Sequence, residues 1–277
     1  MSITAGQVKK LRDQTGAGMM DCKKALREAG GDVNKAIEFL RKKGQKLSDK
    51  RADREVNQGL IVTHVGADGK KAAALEINCE TDFVARNDDF QQKANEFVTA
   101  AYDRQINSVE KLKETEVDGL SIEEQLKEMV AKIGEKIEIN RVIYTETSGQ
   151  IVSYVHPGSQ LAVLAEFNGE LKDETVGNNV AMQIAAMKPI AVTPEGVDEA
   201  VVEQELDIAK QQLINEGKPE EIVEKAAQGK LRRFYEENVL LKQKFVKDNS
   251  ITVQDYLEEH EEPLVKSFHR LQLGESQ

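Results

Sequence analysis

A stretch of twenty-two residues occurs twice in this chain. Gly59 to Glu80 (GLIVTHVGADGKKAAALEINCE) returns ninety residues later as Gly149 to Glu170 (GQIVSYVHPGSQLAVLAEFNGE). Without gaps the copies share Gly59/Gly149, Ile61/Ile151, Val62/Val152, Val65/Val155, Ala72/Ala162, Glu76/Glu166, Asn78/Asn168 and Glu80/Glu170. Each copy reads as a β-hairpin: a β-branched run, a Gly-containing turn and a second apolar run. Each is followed by helix-period sequence, Phe90 to Ala101 in the first and Val176 to Met187 in the second. A chain that repeats this pattern has to build the same local unit twice. The fold class is therefore α+β, with a core of two related α+β subdomains.

The copies are not equal. Matching Phe90 with Val176 drops the offset from ninety to eighty-six, so the first copy carries about four more residues between strand and helix. The surplus falls around Thr81–Arg86, inside the block Glu76-Ile77-Asn78-Cys79-Glu80-Thr81-Asp82-Phe83-Val84-Ala85-Arg86. At its centre an acid stands beside a bare aromatic ring. Burying a Phe is worth about 1.5–3 kcal/mol over leaving it in water, so Phe83 needs a destination. One is the protein's own core, the usual fate of Phe. The other is a partner's pocket, with Phe83 as the anchor. The second copy folds without the extra residues, which favours the partner-facing reading.

Residues 1–55 read as three short helices. Thr4 with Gln7 makes a capping box, and Val8 and Leu11 give the first helix an apolar stripe before Gly16. Met19 to Ala29 forms the second, closed by Gly30-Gly31. Asp32 caps a third, with Val33, Ala36, Ile37 and Leu40 inward, which is expected to stop at Gly44. Gln45–Asn57 is charged and nearly free of apolar residues, and reads as a linker, helical or flexible. Helical spacing returns over Ser121–Gly134 and strand sequence over Glu138–Thr145. Pro194 opens a long helix, and Gly217-Lys218-Pro219 pairs a helix stop with a helix start, predicting an antiparallel hairpin. A short helix at Val253–His260 and a strand at Val265–Leu273 close the chain. The segments expected are 1–55, the helical module and linker; 56–145, the first core subdomain with inserted loop 81–86; 146–193, the start of the second; 194–238, the hairpin; and 239–277, the return.

Charge and composition narrow the function. Charged residues make up 31% of the chain, mean hydropathy is -0.52, and no run of eighteen apolar residues or signal-peptide core is present. The reading is a cytoplasmic protein with no membrane role. Cys22 and Cys79 are too few for a disulfide framework and lack metal-ligand spacing. The net charge is -11, yet residues 1–55 hold fourteen Lys/Arg against eight Asp/Glu, leaving -17 on the rest. An acidic body without Trp argues against direct nucleic-acid binding, although the basic module alone keeps that alternative open. No phosphate loop or nucleophile elbow occurs, and Gly16-Ala17-Gly18 joins two helices rather than a strand to a helix. His64, His156, His260 and His269 are scattered. No catalytic residue, metal site or cofactor is expected. His156 stands at the turn of the second hairpin, where the first copy has Gly66.

Two blocks carry a resemblance. Leu11-Arg12-Asp13-Gln14-Thr15-Gly16-Ala17-Gly18-Met19-Met20-Asp21-Cys22-Lys23-Lys24-Ala25-Leu26 and the Glu76–Arg86 block resemble the two signature segments of bacterial translation elongation factor Ts, from residue 1 to about 273. The resemblance implies a guanine-nucleotide exchange factor for elongation factor Tu. The fold it implies is an N-terminal three-helix ubiquitin-associated-like module, a core of two related subdomains and an antiparallel coiled-coil hairpin. It also implies that Thr81, Asp82, Phe83 and Val84 push between two helices of Tu and disturb its magnesium and phosphate site. Further partner contacts implied are Met19, Met20 and Lys23 in the module, Ile133 behind the inserted loop, His156 and Val246. Lys247 departs from the apolar residue expected there, and a C-terminal helix of some relatives is expected to be missing after Gln277. The readings left open are a homodimer through the hairpin, and an adaptor whose helical module captures a peptide.

Overall fold

The computed structural model describes residues 3–275; the outermost ends of the first and last expected segments, residues 1–2 and 276–277, lie outside it. Two compact units emerge. One comprises residues up to His64, Ala73–Tyr144 and the chain from Leu273 on; the other comprises Val65–Ala72 and Thr145–Gln272.

The first unit opens with three helices, α1 (Ala5–Thr15), α2 (Met19–Glu28) and α3 (Val33–Arg51). Thr4 and Gln7 form the capping box, and Gly16 ends α1 in the left-handed region at φ 64°. Val8, Leu11, Cys22, Ala25, Leu26, Ala36 and Leu40 make a small core of their own. The third helix does not stop at Gly44. It runs on to Arg51, because Gly44 lies where α3 crosses α7 (Ile122–Ile133): a Cβ there would sit 2.8 Å from the Ala131 Cβ. This glycine permits close helix packing rather than ending a helix, so most of the expected linker is helical.

Next come β1 (Gln58–Val65), β2 (Lys71–Cys79), a single turn α4 (Asp82–Ala85) and α5 (Asp88–Arg104). A short helix α6 (Val109–Glu114) and two two-residue strands, β3 (Glu116–Val117) and β4 (Leu120–Ser121), escaped the sequence reading. They lead into α7, which Ser121 and Glu124 cap reciprocally. Then β5 (Ile137–Glu146) completes a three-stranded sheet of order β1-β2-β5. Its core joins Leu75, Ile77, Phe90, Phe97, Ile122 and Val130.

The second unit repeats this plan. Strands β6 (Gln150–Val155) and β7 (Leu161–Phe167) pair antiparallel, and α8 (Glu174–Met187) follows. Helices α9 (Glu199–Asn215) and α10 (Glu220–Asn238) form the antiparallel hairpin around Ala209, Leu213, Val223 and Ala227. Pro194 opens only a single 3-10 turn; Asp198 caps α9 instead, accepting the Ala200 N–H. Ile214 and Ile222, periodic in sequence, lie exposed. The chain returns through β8 (Lys244–Phe245), β9 (Asp248–Thr252), α11 (Val253–Glu259) and β10 (Val265–Gln272). Strand β10 pairs antiparallel with β7, giving the order β10-β7-β6. Both sheets thus place the second hairpin strand in the middle and add a later strand on its free edge.

Candidate functional site

The four-residue surplus of the first copy is the turn α4. In the second copy Glu170 is followed after two residues by Asp173, which caps α8 through the Thr175 N–H. In the first copy Asn87 caps α5 through the Asp89 and Phe90 N–H groups, and α4 lies between Glu80 and that cap. The segment was expected as a loop. It is helical because the Ala85 and Arg86 N–H groups donate to Thr81 and Asp82 carbonyls at 3.3 and 3.1 Å. Asp82 and Arg86 add an ion pair at 3.0 Å, four residues apart on the turn.

One helical turn sends neighbouring side chains in different directions. Val84 and Ala85 pack against the core beneath, as does Ile133 at the end of α7. Phe83 points away and is 83% exposed. The own-core reading of Phe83 therefore fails.

The root of the turn is held from several sides. Thr81 donates both its N–H (3.0 Å) and its hydroxyl (2.8 Å) to the Glu135 carboxylate, just past Gly134, which caps α7. Committed to Glu135, the Thr81 hydroxyl leaves α4 without a side-chain cap. Glu80 accepts the Lys136 N–H at 2.6 Å and pairs with Arg51 at 2.9 Å and Arg54 at 2.7 Å. Partial burial alone would push the Glu80 carboxyl up, but the Lys136 N–H, Arg54 and Arg51 outweigh it and hold it below the usual carboxylate range. Cys79 donates its thiol to the Thr81 carbonyl at 3.1 Å. Burial, with Glu135 nearby, pushes that thiol up to about 12. It is a structural donor rather than a nucleophile.

The other expected contacts occupy three places. Met19 and Met20 are exposed in the first turn of α2, with Lys23 half-buried one turn on. They share the first unit with α4 and Ile133. His156 and Val246 belong to the second unit. His156 is exposed at the β6–β7 turn, its Nδ1 2.9 Å from the Tyr154 hydroxyl. Val246 is half exposed between β8 and β9, and its N–H donates to the buried Gln183 amide oxygen at 2.7 Å.

Sequence reading missed Glu135, Lys136, Arg51 and Arg54. Glu80 carried a signal, being shared by both copies; Arg51 and Arg54 were hidden in the supposed linker, and Glu135 had no local signature. Among the described residues no group of three His, Cys, Asp or Glu side chains could hold a metal ion, and no helix is long and apolar enough to cross a membrane.

The sequence model of the family described as Elongation factor TS matches residues 80–275. The elongation factor Ts of Amoebophilus asiaticus is 48% identical over 277 residues, spanning 99% of this chain and all of that relative. Those of Christiangramia forsetii and Aquifex aeolicus are 46% and 43% identical, covering 98% and 99% of this chain and 99% of their own lengths. An end-to-end match at this identity, over a duplicated core that bears one exposed helical turn, makes the chain a member of the elongation factor Ts family.

Proposed function

We propose that this chain acts in translation elongation as the guanine-nucleotide exchange factor of elongation factor Tu, inserting the turn that carries Asp82 and Phe83 into its partner. The observation that carries the reading is the exposure of Phe83, 83%, on a turn whose root is fastened to the fold. A large ring kept in water on a rigid mount is a hot-spot anchor awaiting a pocket. An exchange factor makes and breaks no bonds. It binds the nucleotide-free GTPase more tightly than the loaded one, and by linkage it loosens the nucleotide equally. Phe83 supplies apolar contact available only when the partner's helices part. Asp82 brings negative charge toward a site whose magnesium and phosphates depend on electrostatic balance. Thr81 and Val84 seat the turn.

The remaining contacts are Met19, Met20, Lys23, His156 and Val246, with Ile133 supporting from behind. The partner is thereby gripped at more than one point and the insertion gains its leverage. The place of action is the cytoplasm, with the N-terminal module serving Tu rather than nucleic acid.

The test is stopped-flow release of a fluorescent GDP analogue from Tu of the same organism. The wild-type chain accelerates release catalytically, and Phe83→Ala loses several-fold to about a hundredfold of that rate. Unchanged release with the variant would sink the insertion mechanism. No acceleration by the folded wild-type chain would sink the exchange reading altogether.

A further inference from the structure

Two adjacent residue pairs hold each other's backbones. The Glu135 side chain takes the backbone N–H and hydroxyl of Thr81 (3.0 and 2.8 Å), while the Glu80 side chain takes the backbone N–H of Lys136 (2.6 Å). Each carboxylate thus bonds the residue beside the other, and the end of β2 is laced to the segment leaving α7. Glu80 is only 18% exposed and is braced further by Arg51 and Arg54, which extend the lacing to the end of α3. Hydrogen bonds to carboxylates are the short, strong kind, and a pair of them fixes direction as well as distance.

The duplication supplies an internal comparison. Glu170 is the counterpart of Glu80 at the end of the second hairpin. It is 79% exposed and its ion pair is with Lys70. The same acid at the same place in the repeat is engaged by backbone in the copy that carries the extra turn, and lies out in solvent in the copy that lacks it. The second copy has a lacing of its own, in which the Glu262 carboxylate just past α11 accepts the Lys172 and Asp173 N–H groups at 2.9 and 2.8 Å; what is particular to the first copy is that the laced residue, Thr81, opens the extra turn.

We propose that Glu135, with Glu80 in support, is a positioning residue for nucleotide exchange: it sets the direction in which α4 presents Phe83, and itself contacts neither the partner nor the nucleotide. This rests on the insertion mechanism proposed above. Without Glu135 the turn keeps the packing of Val84 and Ala85 and the Cys79 thiol's bond to the Thr81 carbonyl, which do not fix its direction, and Phe83 spends its time in directions that miss the pocket. A small error in aim is costly where one side chain has to enter one cleft.

A double-mutant cycle on the full-length protein tests this, with catalysed release of a fluorescent GDP analogue from Tu as the readout and circular dichroism melts as the check on folding. Glu135→Ala is expected to lower kcat/KM about tenfold, and to lower it no further in a Phe83→Ala background. Glu135→Gln, which keeps one acceptor oxygen, should fall between wild type and Glu135→Ala; it enters the same cycle if the alanine variant does not fold. Full activity of Glu135→Ala, while Phe83→Ala is impaired, overturns the positioning role and leaves the insertion mechanism standing. The same loss in both backgrounds also overturns it, since Glu135 would then act elsewhere than through Phe83. Full activity of Phe83→Ala removes the insertion mechanism, and the positioning role with it.

Discussion

Glu76 and Arg141 form the most deeply buried ion pair of the first unit, and Glu76 occupies a position the repeat preserves. The Glu76 side chain is fully buried. It accepts from Arg141 Nε at 2.6 Å and from the Asn78 and Asn140 amides at 3.2 Å. Its counterpart Glu166 is met instead by the Thr145 hydroxyl and, at 3.5 Å, by Lys266. Removing one member of a buried pair strands the other charge, so Arg141→Met should cost about 3–5 kcal/mol in urea unfolding. Adding Glu76→Met should recover much of it. A loss under about 1 kcal/mol for the single variant would mean that water reaches Glu76 and that the pair counts for little. Sequence comparison singled out Glu76 and Glu166 but said nothing of their partners, which, Asn78 apart, come from other strands.

Among the elements, the two hairpins show what their shared glycines are for. A Cβ on Gly59 would lie 2.2 Å from the Ile77 carbonyl oxygen, and one on Gly149 would lie 1.9 Å from that of Phe167. Both first strands of the repeat begin where backbone crosses backbone too closely for any side chain. Gly149→Ala has to push β6 away from β7, and it should lower stability by more than the ~1–3 kcal/mol of ordinary overpacking. Gly217, at φ 75° in the open turn of the helical hairpin, is the contrast. There Gly217→Ala meets no neighbouring atom and should cost only about 1–2 kcal/mol, the penalty of a left-handed residue. Thermal unfolding of the two variants side by side checks the order; equal costs would refute the close-approach argument. Gly44 teaches the same lesson. Its place in a helical run looked like a stop, and its neighbour Ala131, eighty-seven residues away, shows it to be a packing contact. Pro194 also misled, because a 3-10 turn and a true cap at Asp198 use the same local chemistry as a helix start.

Taken together, the charges of the protein predict an acid-labile fold. Besides Glu80, Asp89 is held below its ordinary range by Lys132, Asp173 by Thr175, Asp255 by Thr252 and Glu124 by Ser121. Carboxyls depressed in the folded state add stability above their unfolded values, roughly 3.9–4.3, and lose it as the pH falls through the folded ones. His269 adds to this from higher pH: burial holds its imidazole low against the pull of Glu166, so protonation below about 6.5 favours the unfolded chain. The melting temperature should decline gently from pH 6.5 and steeply below about 4.5, measured in one buffer series at constant ionic strength. A melting temperature that rises on acidification would contradict the sign of every one of these shifts.

The duplication, the helix caps at Thr4 and Asp32, the turn at Gly217-Pro219 and the oddity of Phe83 could all be read from the chain alone. Each is a relation between residues a few positions apart or between two copies of one pattern. Such relations are encoded in backbone preference and side-chain period. That β5 and β10 complete the two sheets, that Gly44 faces Ala131, and that Thr81 is held by Glu135 are relations across tens of residues with no period to mark them. They arise only when packing brings unlike segments within hydrogen-bond or van der Waals reach. The contrast between Glu80 and Glu170 is the sharpest case: the same residue at the same place in the repeat, one engaged by distant backbone and guanidinium groups, the other exposed and paired with Lys70, because Arg51, Arg54 and Lys136 come from segments far off in the chain.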